Sequence, residues 1–123
     1  MFNNKISAGK HLICDIKDIR NTILLNSTSK LKEMLKNICA VCEYQILNEI
    51  SHDFLPIGCS IIFLLSESHI SIHTFPERNY ISFDLYSCRQ YENNDEYEII
   101  FNYLLVELDA SKKSACKIID RYF

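Results

Sequence analysis

The chain has 123 residues, 48% of them apolar and 24% charged, with a formal charge of −3 and only two glycines and two prolines. That length carries one hydrophobic core and not two, and so few glycines and prolines exclude long flexible linkers and low-complexity segments. The acidic balance argues against a nucleic-acid partner, no apolar run approaches the roughly 18 residues of a membrane span, and no charged-then-apolar leader opens the sequence, so a cytoplasmic enzyme or binding module is expected.

His11 to Ile16 reads as a buried first strand. Ser27-Thr28-Ser29 offers capping hydroxyls for a helix, and Leu31, Met34, Leu35, Ile38, Cys39 and Cys42 then recur at helical spacing with lysines and Glu33 opposite. Cys39 and Cys42 have the spacing of a metal or redox pair. No second pair exists, however, and both fall on the apolar stripe, so they are assigned to the core as reduced thiols. Tyr44 to Phe54 reads as a strand with Tyr44, Ile46 and Ile50 as its apolar positions, broken by Pro56-Ile57-Gly58.

Cys59 to Leu65 is a short apolar run suited to a central strand. Next, Ile70 and Ile72 alternate with His69, Ser71 and His73, which sets the polar side chains on one face. Pro76 ends that element. Tyr80 to Cys88 alternates again, with Ile81, Phe83 and Leu85 against Ser82, Asp84 and Tyr86. Asn93-Asn94-Asp95 opens a second helix with a stripe of Tyr97, Ile100, Phe101, Leu104, Leu105 and Leu108, and Ala115 to Tyr122 closes the chain as a strand.

The order β-α-β-β-β-β-α-β predicts an α+β fold, a single domain over 1–123 in which a mainly antiparallel sheet carries two helices on one face. The strand-helix-strand ends hint at a degenerate duplication, although no sequence repeat supports it. The open sheet face is free to pack on a second copy, so a homodimer is expected.

Chemistry concentrates between Ser66 and Glu77, where two histidines, two carboxylates and several hydroxyls share twelve residues. His69 and His73 are four apart, as in a helical zinc pair, but the interval alternates like a strand and lacks the glutamate of His-Glu-x-x-His. Cys88 or His52 could complete such a site, yet nothing in the spacing demands either, and no metal is expected. A Cys88–His73 nucleophilic pair is chemically possible, but no amide-hydrolase signature accompanies it. On the residues alone, a polar strand face at a dimer contact is the ordinary alternative.

Glu67 to Glu77 reads Glu-Ser-His-Ile-Ser-Ile-His-Thr-Phe-Pro-Glu. This run resembles the segment Glu-Ser-His-(Leu/Ile)-(Ser/Thr)-Ile-His-Thr-Trp-Pro-Glu of the prokaryotic S-adenosylmethionine decarboxylase proenzymes. Tyr86-Ser87-Cys88, Phe54-Leu55-Pro56, Gly58-Cys59-Ser60 and Gly9-Lys10-His11-Leu12 resemble further elements of the same family. The resemblance implies self-cleavage at Glu67–Ser68 into pieces 1–67 and 68–123, with Ser68 becoming a covalent pyruvoyl cofactor that forms a Schiff base with the substrate. It also implies that His73 is the base for processing, with Ser60 assisting, and that Cys88 donates a proton to the substrate α-carbon. Phe54 would stack on adenine and Glu77 would hold the ribose hydroxyls of S-adenosylmethionine. The product would be the aminopropyl donor for spermidine synthesis, made by a dimer with sites near the subunit boundary.

Four positions depart from the family pattern: Phe75 replaces its tryptophan, Arg89 its glycine after the cysteine, Asn79 a turn glycine and Asp15 a glutamate. Two alternatives stay open at this point. One is a pyruvoyl-dependent arginine or ornithine decarboxylase on the same fold; the other is an inactive homologue that only binds.

Overall fold

The computed structural model describes residues 6–123. In chain order it runs β1 (Ser7–Ile16), α1 (Thr22–Leu25), α2 (Thr28–Val41), β2 (Ile46–Asp53), β3 (Cys59–Leu65), β4 (Ser68–Phe75), a 3-10 turn (Pro76–Arg78), β5 (Tyr80–Ser87), α3 (Asp95–Leu108) and β6 (Ala115–Tyr122). The strands form one sheet in the order β2-β3-β4-β5-β1-β6, and every neighbouring pair is antiparallel. This is the α+β sandwich expected from the element order.

Strict alternation in β3, β4 and β5 decides which face is buried. Cys59, Ile61, Phe63 and Leu65 of β3 share the core with Ile70 and Ile72 of β4 and with Ile81, Phe83 and Leu85 of β5. Leu31, Met34, Leu35 and Ile38 of α2, with Tyr97, Ile100, Leu104 and Leu108 of α3, cover that face. Ser27 caps α2 by accepting from the Lys30 N–H at 3.2 Å. Cys39 and Cys42 are buried free thiols, and burial pushes them up to about 11 and about 12 respectively, so they are inert core residues.

Three details were not legible in the sequence. Tyr44 is buried but precedes the second strand, because Glu43 turns the chain at φ 58 and pairing starts only at Ile46. Ile50 is 69% exposed, since β2 is a sheet edge. The four-residue α1, capped by Asn21, buries Leu24 and Leu25; it is too short for periodicity to reveal it. Among the described residues, no helix is long and apolar enough to cross a membrane.

Candidate active site

Ser66 and Glu67 form the two-residue turn joining β3 to β4, with Leu65 paired to Ser68. Tight hairpin turns usually take positive φ at their central residues, which favours Gly, Asn or Asp. Here neither turn residue does so. The positive φ falls on Ser68 instead, at 142°, a region costing a side-chain-bearing residue of order 1–3 kcal/mol. The peptide link between Glu67 and Ser68 therefore lies at a strained point of the sheet.

That carbonyl is also polarised. The Glu67 oxygen accepts from the Cys88 N–H at 3.0 Å, extending the β4–β5 ladder in which Ser68 pairs with Ser87. Gly9 makes the close packing possible: at φ 107, a Cβ there would lie 2.1 Å from the Ser87 carbonyl oxygen and 2.7 Å from the Cys88 Cα. The Cys88 side chain is exposed, unlike those of Cys14, Cys39, Cys42 and Cys59. Glu67, Ser68 and Cys88 thus form one cluster.

The other sequence-predicted residues gather at the opposite end of β4. Ser60 Oγ and His73 Nδ1 are hydrogen-bonded at 2.7 Å across the β3–β4 pair. They line a cleft of about 410 Å³ with Phe54, Phe75 and Glu77. Phe54 is half exposed and packs edge-on against His52, ring centroids 4.7 Å apart. Asp15 lies in the same cross-strand row, through Ser82 to His73, and accepts a hydrogen bond from the Tyr80 hydroxyl. Ser68 and His73 are five strand residues apart, roughly 16 Å at about 3.3 Å per residue. One chain does not bring these two residues together.

Between the two clusters, on the open face, sits a network that the sequence did not single out. Asp84 Oδ2 accepts from His11 Nε2 at 2.6 Å and from His69 Nε2 at 2.9 Å, while Ser71 donates to Oδ1. Among the described residues this is the one group whose ligand atoms are spaced as a metal site would need, but both imidazoles are already engaged by the carboxylate between them. His69 and His73 bond to different partners, Asp84 and Ser60 respectively. The only sequence signal of the Asp84 network was that Asp84 occupies a polar position of β5.

Burial works against charge on Asp84, yet the hydrogen bonds from Ser71, His69 and His11 outweigh it and hold the carboxyl below its ordinary range. A depressed folded value means stability that is present above the unfolded value, about 3.9, and lost as pH falls through the folded one. Asp84→Asn is therefore expected to cost about 1–3 kcal/mol at pH 7, a melting point lower by several degrees, with the gap to wild type closing as pH falls below the unfolded carboxyl value of about 3.9. Equal melting temperatures at pH 7 would refute this role.

A family model described as S-adenosylmethionine decarboxylase matches residues 10–121. The chain belongs to the S-adenosylmethionine decarboxylase family. Among its relatives, the S-adenosylmethionine decarboxylase proenzyme of Prochlorococcus marinus is 34% identical over 92% of this chain and 88% of its own length. That of Brevibacillus brevis is 32% identical over 90% of this chain and 80% of its own. That of Thermosipho africanus is 38% identical over 67% of this chain, a match spanning 62% of the relative. In fold, the chain is similar to the crystal structure of the adenosylmethionine decarboxylase from Aquifex aeolicus, with a TM-score of 0.81 over 95% of this chain and 92% of that one, at 22% identity. This chain places the Glu67–Ser68 link at one end of β4 and the Ser60–His73 pair at the other.

Proposed function

We propose that the chain cuts itself between Glu67 and Ser68 and that the mature form decarboxylates S-adenosylmethionine. The observation that carries this reading is the Glu67 carbonyl, held on the Cys88 N–H beside a Ser68 strained at φ 142. In the first step the Ser68 hydroxyl gives its proton to a base and Oγ bonds to the Glu67 carbonyl carbon. The C–N bond then breaks, the nitrogen takes a proton, and an ester replaces the amide. The Cys88 N–H is placed to stabilise the oxyanion between these events. Loss of the Ser68 α-proton next expels Glu67 as a carboxylate and leaves dehydroalanine. Water hydrolyses this to the pyruvoyl group and ammonia, giving 1–67 and 68–123.

The base must come from elsewhere, because His73 of the same chain is at the far end of β4. A two-fold axis through the open face near Ser71 and Asp84 would bring Ser60 and His73 of the partner subunit to Ser68. Closed two-fold symmetry completes two such sites at once. Exposed Ile50, Ile62 and Leu64 on that face supply apolar surface for the contact. The dimer is thus part of the chemistry.

Ser68 fits as the pyruvoyl precursor: it carries the hydroxyl, follows the polarised carbonyl and is itself the strained residue that opens β4. When present, the group supplies an electron-withdrawing carbonyl that accommodates the electron pair left as CO₂ departs. The Cys88 thiol, exposed beside Ser68, would give its proton to the substrate α-carbon. Phe54 presents a half-exposed ring for the adenine and attracts the sulfonium, and Glu77 offers a carboxylate to the ribose hydroxyls.

The test is release of labelled CO₂ from carboxyl-labelled S-adenosylmethionine, ornithine and arginine by the purified cut protein. Release from the first alone is expected; release only from ornithine or arginine overturns the substrate assignment. Cys88→Ala retains the backbone N–H and should still cut. Its decarboxylation rate should fall about 10²–10⁴-fold, as for loss of a general acid. A normal rate in that variant would remove Cys88 from the proton-donor role.

A further inference from the structure

Arg89 stands where the resembling family has glycine, and in this chain its guanidinium is fully engaged. Nε donates to Glu67 Oε2 at 2.5 Å and one terminal nitrogen to Oε1 at 2.6 Å, a bidentate grip on the carboxylate. The same nitrogen also donates to the Glu43 carbonyl at 3.0 Å. The other terminal nitrogen donates to the Cys42 carbonyl at 2.5 Å and to the Tyr91 hydroxyl at 3.2 Å. All five N–H donors of the guanidinium are thereby used. The group also lies over the buried Tyr44 ring, 4.5 Å from its centroid, and Tyr44 in turn is hydrogen-bonded to Tyr91 at 2.9 Å.

This arrangement joins the C-terminal end of α2 to the hairpin tip. Cys42 is the C-cap of α2, where a cation is favoured by the helix dipole, and Glu67 is the residue whose carbonyl is to be attacked. Backbone strain of the kind seen at Ser68 persists only where the surroundings over-determine it. The Glu67 side chain is one of the few handles through which the tip of a two-residue turn can be held. Both partners of the ion pair are about one quarter exposed, so the grip lies at the rim and not in open solvent.

We propose that Arg89 is a positioning residue for self-cleavage in this chain. It fixes Glu67 so that the scissile carbonyl stays on the Cys88 N–H within attacking reach of Ser68. Once the bond is cut, the same grip keeps residue 67, now a chain terminus bearing two carboxylates, docked beside the site. The inference rests on the self-cleavage reading above. It acts on formation of the ester, before the elimination that follows.

The test follows cutting by intact mass after a short pulse of cell-free synthesis of the full chain, for wild type, Arg89→Ala and Arg89→Lys. Wild type should cut. Arg89→Ala should cut at least about tenfold more slowly, and Arg89→Lys should fall between, because an ammonium holds one oxygen where the guanidinium holds two. Millimolar methylguanidine should restore part of the rate to Arg89→Ala, an effect that a purely structural role would not give. Hydroxylamine, which splits esters, should not speed cutting of Arg89→Ala, since the ester itself is not reached. Should Arg89→Ala prove unstable, the Lys variant decides alone. Wild-type cutting in either variant overturns the inference, and a wild-type chain that never cuts overturns the self-cleavage reading instead.

Discussion

A Ser68→Ala chain is expected to remain a single polypeptide of 123 residues indefinitely, with no 1–67 or 68–123 piece in its mass spectrum and CO₂ release from S-adenosylmethionine at background. Alanine carries the same Cβ into the turn, so the strain at φ 142 and the Glu67–Cys88 hydrogen bond should both persist. What disappears is Oγ, the atom that must bond to the Glu67 carbon. No neighbouring hydroxyl stands in for it: Ser66 precedes the scissile carbonyl, and Ser87 is fully buried, its Oγ accepting from the Arg89 N–H at 3.1 Å. The loss should therefore be complete and not graded, as for removal of a nucleophile whose product is itself the cofactor. The melting temperature should change by only a few degrees. Fragments of the expected masses from this variant would place the nucleophile elsewhere and remove the basis of the proposed function.

The second large effect concerns two chains at once. Because Ser68 and His73 occupy opposite ends of β4, roughly 16 Å apart at about 3.3 Å per residue, each complete site should draw one cluster from each protomer. His73→Ala alone should cut very slowly, and Ser68→Ala alone should not cut. Co-synthesised in equal amounts, the two should complement. In a mixed dimer, the chain that keeps Ser68 faces a partner that keeps His73, so that one site is intact and the other lacks both groups. Random pairing then predicts that about half of the Ser68-bearing chains are cut and none of the Ser68→Ala chains. If both groups acted within one chain, mixing would rescue nothing. Sedimentation of the same samples as dimers would accompany the positive result, and monomeric, self-cutting wild type would defeat it.

The split site also explains why sequence reading went as far as it did and no further. The strands around the site were legible because β3 is a short apolar run and β4 and β5 alternate, and a period of two fixes which side chains share a face. Ile70 and Ile72 had to be buried if His69, Ser71 and His73 were polar, and the structure shows that division. The paired helices followed from the spacing of Leu31 to Cys39 and of Tyr97 to Leu108. Where a segment lacked a period, the reading drifted. Tyr44 entered the strand because its apolar character was visible, while the turn at Glu43 and the exposure of Ile50 on the edge strand β2 were not.

The dense run Glu67 to Glu77 determined by itself which residue types were available, and the pairing of a turn Ser with a following strand of histidines came with it. Only the tertiary structure decided that these residues serve two places. Strand rise converts five residues into a separation no hydrogen bond spans, and a face rule cannot report a distance. The same holds for Asp84 between two imidazoles and for Arg89 on Glu67, whose partners lie 15 to 73 and 22 residues away in the chain. Sequence periodicity fixes direction within an element, whereas register between strands, set by core packing of the whole sheet, fixes which elements' side chains meet.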